Sequence, residues 1–233
     1  MKLNTNSNVY TIAYASVMVI IVAFCLAFIS DVLRPTQEAN VANDKRGQIL
    51  AALNIREVED VQAKFDEVVL QDIVVDVNGS VLEEKGGFDV ESKEITTKDD
   101  AAKKLPVYVS KVDNDTVYVV PLYGRGLWGG LWGYLALKPD FQTVYGAYMS
   151  HEGETAGLGA RIVETQFQEK FQNKVAFADS TYNDIVLGVK KKVENPASEV
   201  DAITGATLTS NGVDEMFKSS LAPYKQYFLN NHK

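Results

Sequence analysis

From Val9 to Ile29 the chain runs 21 residues without a charge, VYTIAYASVMVIIVAFCLAFI, after which charged and apolar positions begin to alternate. At about 1.5 Å per residue the run makes roughly 31 Å of helix, close to the roughly 30 Å hydrocarbon core of a bilayer. It has no polar face, so it reads as a single membrane-spanning helix over residues 9–29, behind a short tail at 1–8. The exit Phe28-Ile29-Ser30 lacks the small residues of a cleavage site, and Phe24 before Cys25 is unlike a lipoprotein signal, so the segment is read as an uncleaved anchor. Arg34-Pro35-Thr36 is expected to break the helix, because proline disfavours helical geometry at the residue before it. Thr36 to about Leu53 then reads as a polar helix with an apolar stripe at Ala39, Ala42, Ile49, Leu50 and Leu53. Residues 30–55 are therefore linker and connecting helix, and 56–233 a separate domain.

Within that domain the period changes from helical to alternating. Val68 to Val77 is β-branched and predicts a strand ending at Asn78-Gly79, while Gly86 to Lys104 is charged, weakly patterned and expected on the surface. Pro106–Val112 and Thr116–Val120 predict two strands joined by a hairpin turn at Asp113-Asn114-Asp115. Leu131–Leu137 and Thr143–Met149 predict a second pair around Lys138-Pro139-Asp140. Ile162, Val163, Phe167 and Phe171 have helical spacing, and Asp184–Val189 reads as another strand. Val213, Met216, Phe217 and Leu221 mark an amphipathic helix that Pro223 should interrupt. The expected fold class is α+β: one N-terminal transmembrane helix, then a mixed α+β domain with a largely antiparallel sheet.

Composition narrows the function. Of 233 residues, 46% are hydrophobic and 23% charged, which is ordinary for a globular chain. The net charge of −8 argues against a nucleic-acid partner. One cysteine and two histidines are too few for a Cys/His zinc centre or a protein-held iron–sulfur cluster, so no metal site is expected. Lysine and arginine lie on both sides of the apolar run, with Lys2 before it and Arg34, Lys45 and Arg46 after it, so charge alone leaves the membrane orientation open.

Three segments carry the candidate chemistry. Asp201-Ala-Ile-Thr-Gly-Ala-Thr-Leu-Thr-Ser210 places four hydroxyls within seven residues beside a small Gly205-Ala206 pair. An exposed hydroxyl with no bulky neighbour suits a phosphoester. If the next helix starts near Thr209, its free N–H groups would face the phosphate, with Thr209 and Ser210 capping the helix or bonding phosphate oxygens. On residue types alone, an ordinary capped helix start explains the same pattern. His151-Glu-Gly-Glu-Thr-Ala-Gly-Leu-Gly159 has three glycines in seven residues, which let backbone approach a flat ring, although a glycine-rich turn accounts for them too. Its spacing is not that of a dinucleotide or triphosphate loop. His151 reads as a surface or capping residue, and Glu152 with Glu154 as either an acid/base pair or a solvated loop. In Tyr123–Gly133, glycines interleave with Trp128 and Trp132, suited to stacking on an aromatic ligand or to ordinary core packing.

Taken together, Gly124-Arg-Gly-Leu-Trp-Gly-Gly130, Glu154-Thr-Ala-Gly-Leu-Gly159 and Asp201-Ala-Ile-Thr-Gly-Ala-Thr-Leu-Thr-Ser-Asn-Gly-Val213 resemble the C subunits of sodium-translocating NADH:quinone oxidoreductases. The resemblance to the G subunits of Rnf-type ferredoxin:NAD complexes is more distant. It spans essentially the whole chain, and Ala156 departs from it where the family often has proline.

The resemblance implies an electron-transfer subunit with an extracytoplasmic domain, anchored in the bacterial inner membrane and carrying covalently bound FMN. Thr207 would hold the flavin phosphate as a phosphoester, attached by a separate flavin transferase that uses FAD and magnesium. Asp201 would belong to the recognition motif and, with Ala202, Thr204, Gly205, Ala206, Leu208 and Thr209, would be among the cofactor-binding residues. Trp128, Glu154, Thr155, Gly157, Leu158 and Gly159 would line the flavin. Lys190 would contact the phosphate or ring, or else belong to a solvated Lys190–Lys192 edge. No residue is expected to be catalytic by itself, and the partners implied are the membrane, the other subunits of the complex and the transferase. The alternatives are an Rnf-type G subunit and an anchored binding module without redox turnover.

Overall fold

The computed structural model describes residues 7–232; most of the expected 1–8 tail, Lys2 included, lies outside them. Two units divide between Lys45 and Arg46.

The first unit is the greater part of helix α1 (Asn8–Ala52), long and apolar enough to cross a membrane. Its Val9, Phe24 and Leu26 are exposed, as is the free thiol of Cys25. The break expected at Arg34-Pro35-Thr36 does not occur, because α1 continues through Pro35. A helical proline forfeits one backbone hydrogen bond and costs about 3 kcal/mol. That local penalty is outweighed by the unbroken apolar run before it and the helix formers Glu38, Ala39 and Ala42 after it.

In the second unit the end of α1 is core. Ile49, Leu50, Ala52 and Leu53 are buried with Phe65 and Val68 of α2 (Val61–Val68). Six strands, β1 (Val69–Val75), β2 (Val81–Glu83), β3 (Leu105–Val112), β4 (Asp115–Arg125), β5 (Gly130–Leu137) and β6 (Val144–His151), form one sheet in the order β2-β1-β3-β4-β5-β6. Every pairing in it is antiparallel. The two-residue turn between β3 and β4 has positive φ at both Asp113 (48°) and Asn114 (74°), as a type I′ hairpin requires.

Alternation along each strand feeds two cores. Val117, Val119, Tyr134 and Ala136 face the α1–α2 layer, whereas Val120, Leu122, Leu131, Leu135 and Leu137 face the opposite one. The opposite layer is built by α5 (Thr207–Leu221), α6 (Lys225–Asn231) and the segments before them. Pro223 lies in a short 3-10 turn between α5 and α6, so the expected interruption is there. A short helix α3 (Ser92–Ile95) punctuates the charged 86–104 stretch.

Two of the elements expected within the domain take a different form. Ile162–Phe171 is not one helix but a 3-10 turn (Gly159–Val163), α4 (Thr165–Gln168) and a second 3-10 turn (Glu169–Phe171), with Val163 exposed. The strand expected over Asp184–Val189 shortens to β7 (Gly188–Lys190), paired in parallel with β8 (Glu199–Asp201). Just before it, the amides of Val186 and Leu187 both donate to the Ala176 carbonyl, which turns the backbone out of extension.

Candidate functional site

Three loops meet at the start of α5. The first is the β4–β5 hairpin tip, where the Gly126 amide donates to the Gly129 carbonyl at 2.9 Å and puts Leu127 and Trp128 at the apex. Trp128 is 68% exposed. The second follows β6: His151 Nδ1 accepts the Glu154 amide at 3.1 Å within the loop, and Gly157 adopts a φ of 76°. The third is Ile203-Thr204-Gly205-Ala206, closed by the Ala206 amide on the Ile203 carbonyl at 3.0 Å. Gly205 has a φ of 80° in the third position, where a type II turn demands it.

Glu154, in the second loop, ties the first loop to the first turn of α5. Only 7% of it is exposed; Oε1 accepts the Trp128 amide at 2.9 Å, and Oε2 accepts the Thr209 hydroxyl at 2.5 Å. Close glycines make the room, since a Cβ at Gly126 or Gly159 would collide with this carboxylate. Burial pushes the Glu154 carboxyl up, but the Thr209 hydroxyl, the Trp128 amide and His151 outweigh it and hold the group below the usual carboxylate range. Leu158 closes the ring of contacts, with its Cδ2 3.0 Å from where a Cβ on Gly205 would stand.

Thr207 is the first residue of α5 and is exposed; no hydrogen bond of its hydroxyl forms among the described residues. The N-cap residue Ala206 supplies no side-chain cap, so the first-turn amides of α5 gain no acceptor from it. Leu127 and Trp128 of the first loop, Leu158 of the second and Leu208 of α5 are exposed apolar side chains at this corner. Thr155 and Gly157 are also exposed, and Gly159 is buried.

Other expectations shift. The helix begins at Thr207, two residues earlier than expected, which puts Thr209 and Ser210 inside it and buried. Thr209 is therefore spent on Glu154, and the Ser210 hydroxyl accepts the Ile203 amide at 3.2 Å; neither caps the helix. Glu152 and Glu154 do not form an acid/base pair, because Glu152 sits exposed on the Gly130 amide while Glu154 is buried. Trp132 parts from Trp128: it lies within β5, opposite Tyr123 and Ser150, away from the hairpin tip.

Asp201 ends β8 in register with Lys190 at the end of β7. Asp201, Ala202 and Thr204 line a pocket of ≈ 280 Å³ whose other wall carries Arg161 and Lys170. The Lys190 ammonium is engaged by Asp214, Oδ1 at 2.9 Å. Sequence reading missed Asp214, a buried acid within α5 that also takes Lys218 at 2.7 Å and the Val189 amide at 3.1 Å. Its one legible signal was the Asp214–Lys218 spacing of four on a helix.

Residues 126–222 match the FMN-binding domain family. The chain is 32% identical to the C subunit of the Na(+)-translocating NADH-quinone reductase of Haemophilus ducreyi, over 93% of this chain and 91% of that one. It is 31% identical to the protein of the same name from Neisseria meningitidis serogroup B, covering 79% and 78%. The crystal structure of the C subunit from Parabacteroides distasonis superposes with a TM-score of 0.76 at 36% identity, covering 84% of this chain and 96% of that one. Shewanella oneidensis NqrC shares the fold, with a TM-score of 0.70 at 23% identity. With an anchor-length helix ahead of an antiparallel α+β domain and this similarity along nearly its full length, the chain belongs to the family of Na(+)-translocating NADH-quinone reductase C subunits.

Proposed function

We propose that this protein is the electron-transfer subunit of a sodium-pumping NADH–quinone reductase and carries FMN as a phosphoester on Thr207. The observation that carries the reading is the exposed, unbonded Thr207 hydroxyl on the first turn of α5, in a corner ringed by Leu127, Trp128, Leu158 and Leu208.

The residues fit such a group. The amides of an uncapped helix start suit a phosphate. Exposed apolar and aromatic side chains beside them suit a flat ring that is apolar on its faces. When bound, FMN supplies the one- and two-electron chemistry, and the protein supplies position and electrostatics.

In attachment, the Thr207 oxygen takes the place of AMP on the flavin phosphate of FAD. The new O–P bond forms as the pyrophosphate bond breaks, and a base on the transferase removes the hydroxyl proton. Gly205 and Ala206 leave the approach to that oxygen open. The first-turn amides of α5 would hold the phosphate, and Trp128 and Leu158 would line the ring. Asp201 stands exposed at the end of β8 as a feature the transferase reads.

We place residues 9–29 across the bacterial inner membrane as a single pass, with residues 30–45 connecting and the FMN domain on the extracytoplasmic side. There a covalent tether prevents loss of a scarce cofactor. The test is co-expression with an active flavin transferase and inspection of a denaturing gel for flavin fluorescence, with Thr207→Ala alongside. A fluorescent wild-type band and a dark variant are expected; a dark wild-type band overturns the reading.

A further inference from the structure

We propose that Glu154 is a positioning residue for the flavin, acting through the Trp128 main chain and Thr209 instead of touching the ring. This rests on the flavin reading of Thr207, and it reassigns a residue that the family resemblance counts among the ring contacts.

The geometry points this way for three reasons. First, both carboxylate oxygens are already occupied, one by the Trp128 amide and the other by the Thr209 hydroxyl. Second, the side chain is closed off: Gly126 and Gly159 press on it so closely that neither position has room for a Cβ, and only 7% of the residue is exposed. A ring stacking on Trp128 or Leu158 would meet those side chains, not the carboxylate beneath. Third, the connection is economical. Glu154 belongs to the loop after β6, Trp128 to the β4–β5 tip and Thr209 to the first turn of α5, so one carboxylate fixes two walls of the corner relative to the helix that bears Thr207.

Charge adds a second consequence. The carboxylate lies against the first turn of α5, where the partial positive charge of the helix end favours an anion. A flavin phosphate on Thr207 would draw on the same helix end from outside. Glu154 therefore sets part of the potential felt by the flavin, and an anion there disfavours the negatively charged reduced ring.

Two pairs of variants separate strut from charge in the full-length chain in detergent. Glu154→Ala and Thr209→Val cut the strut, Thr209→Ser keeps it, and Glu154→Gln keeps its shape while removing the charge. Hydrogen exchange, read by mass spectrometry without flavin, should quicken about tenfold over 126–130 and 154–159 in the first two, the size expected for losing one charge-assisted hydrogen bond, and stay near wild type in Thr209→Ser. After loading, Glu154→Ala and Thr209→Val should weaken the visible circular dichroism of the flavin, and Glu154→Gln should raise its midpoint potential. Should Glu154→Ala fail to fold, Thr209→Val, which removes a single hydroxyl, carries the test. A wild-type chain left dark by an active transferase sinks the flavin reading. A loaded wild type whose variants match it in exchange, dichroism and potential sinks the positioning role alone.

Discussion

The carboxylate of Asp214 lies 2.9 Å from the Lys190 ammonium, joining the middle of α5 to the end of β7. The second oxygen takes Lys218 at 2.7 Å, and the Val189 amide completes the set at 3.1 Å. Burial pushes this carboxyl up, but the bonds and charges of Lys218 and Lys190 outweigh it, so it is held below the ordinary aspartate value. Asp214→Ala leaves a buried amide without an acceptor and should cost about 2 kcal/mol, since the partly exposed lysines are screened by water. Lys190→Ala, which leaves Lys218 and the amide in place, should cost under about 1 kcal/mol. Urea denaturation of the two variants at neutral pH ranks them, and equal midpoints would contradict the assignment.

The same carboxyl gives a pH dependence of known sign. Its folded-state value is lowered, so its stabilisation is complete above the unfolded value of about 3.9 and is lost as pH falls through the lower folded value. The gap in urea midpoint between wild type and Asp214→Ala should thus be widest near neutrality and narrow progressively below about pH 4. A gap that widens on acidification would mean that the carboxyl is not anionic in the fold.

Thr207 faces solvent at the first position of α5 and its hydroxyl bonds to nothing among the described residues, so removing that hydroxyl should leave the fold alone. Thr207→Ala should change unfolding free energy by no more than about 0.5 kcal/mol while abolishing covalent flavin. Thr207→Ser keeps a hydroxyl on the same turn and should still accept flavin at a reduced rate. Thermal melts beside in-gel fluorescence decide it: dark Thr207→Ala with an unchanged melt is the expected pair.

The strands and their turn were legible because both determinants are local. Alternating β-branched residues and Asp113-Asn114, which tolerate positive φ, specify a hairpin without help from the rest of the chain. The direction in which Thr209 points was not legible. It depends on Glu154, 55 residues away, and on glycines at 126 and 159 that let the carboxylate in. Pro35 misled for a related reason: proline's local cost is real, but it is judged against the helix on either side. Asp214 was invisible as a junction because its partner Lys190 comes from a strand whose bounds are set by tertiary bonds to Ala176 and Asp214.

Gly205 carries both a conformational and a steric constraint. Its φ of 80° is costly for a residue with a side chain, and a Cβ there would stand 3.0 Å from Leu158. Gly205→Ala should destabilise by about 1–2 kcal/mol and displace Leu158 from the turn that precedes α5. Leu158→Ala in the same chain relieves the steric part only. If the double variant regained full stability, the backbone conformation would have been the lesser constraint.

The main chain and the side chain of Trp128 have different surroundings, and their roles can be separated. The amide is held by Glu154, whereas the indole is 68% exposed at the hairpin tip. Trp128→Ala keeps the amide and with it the bond to Glu154, so stability should move by no more than about 0.5 kcal/mol. The flavin, deprived of an aromatic neighbour, should show weaker visible dichroism and stronger fluorescence, because a stacked indole quenches an excited ring. Trp132→Phe, a change within β5, should leave both signals near wild type and cost stability instead. The pair therefore tests whether the ring lies over the hairpin tip: equal effects on flavin fluorescence from both substitutions would move it elsewhere, and an effect from Trp128 alone would fix one face of the flavin against β4 and β5.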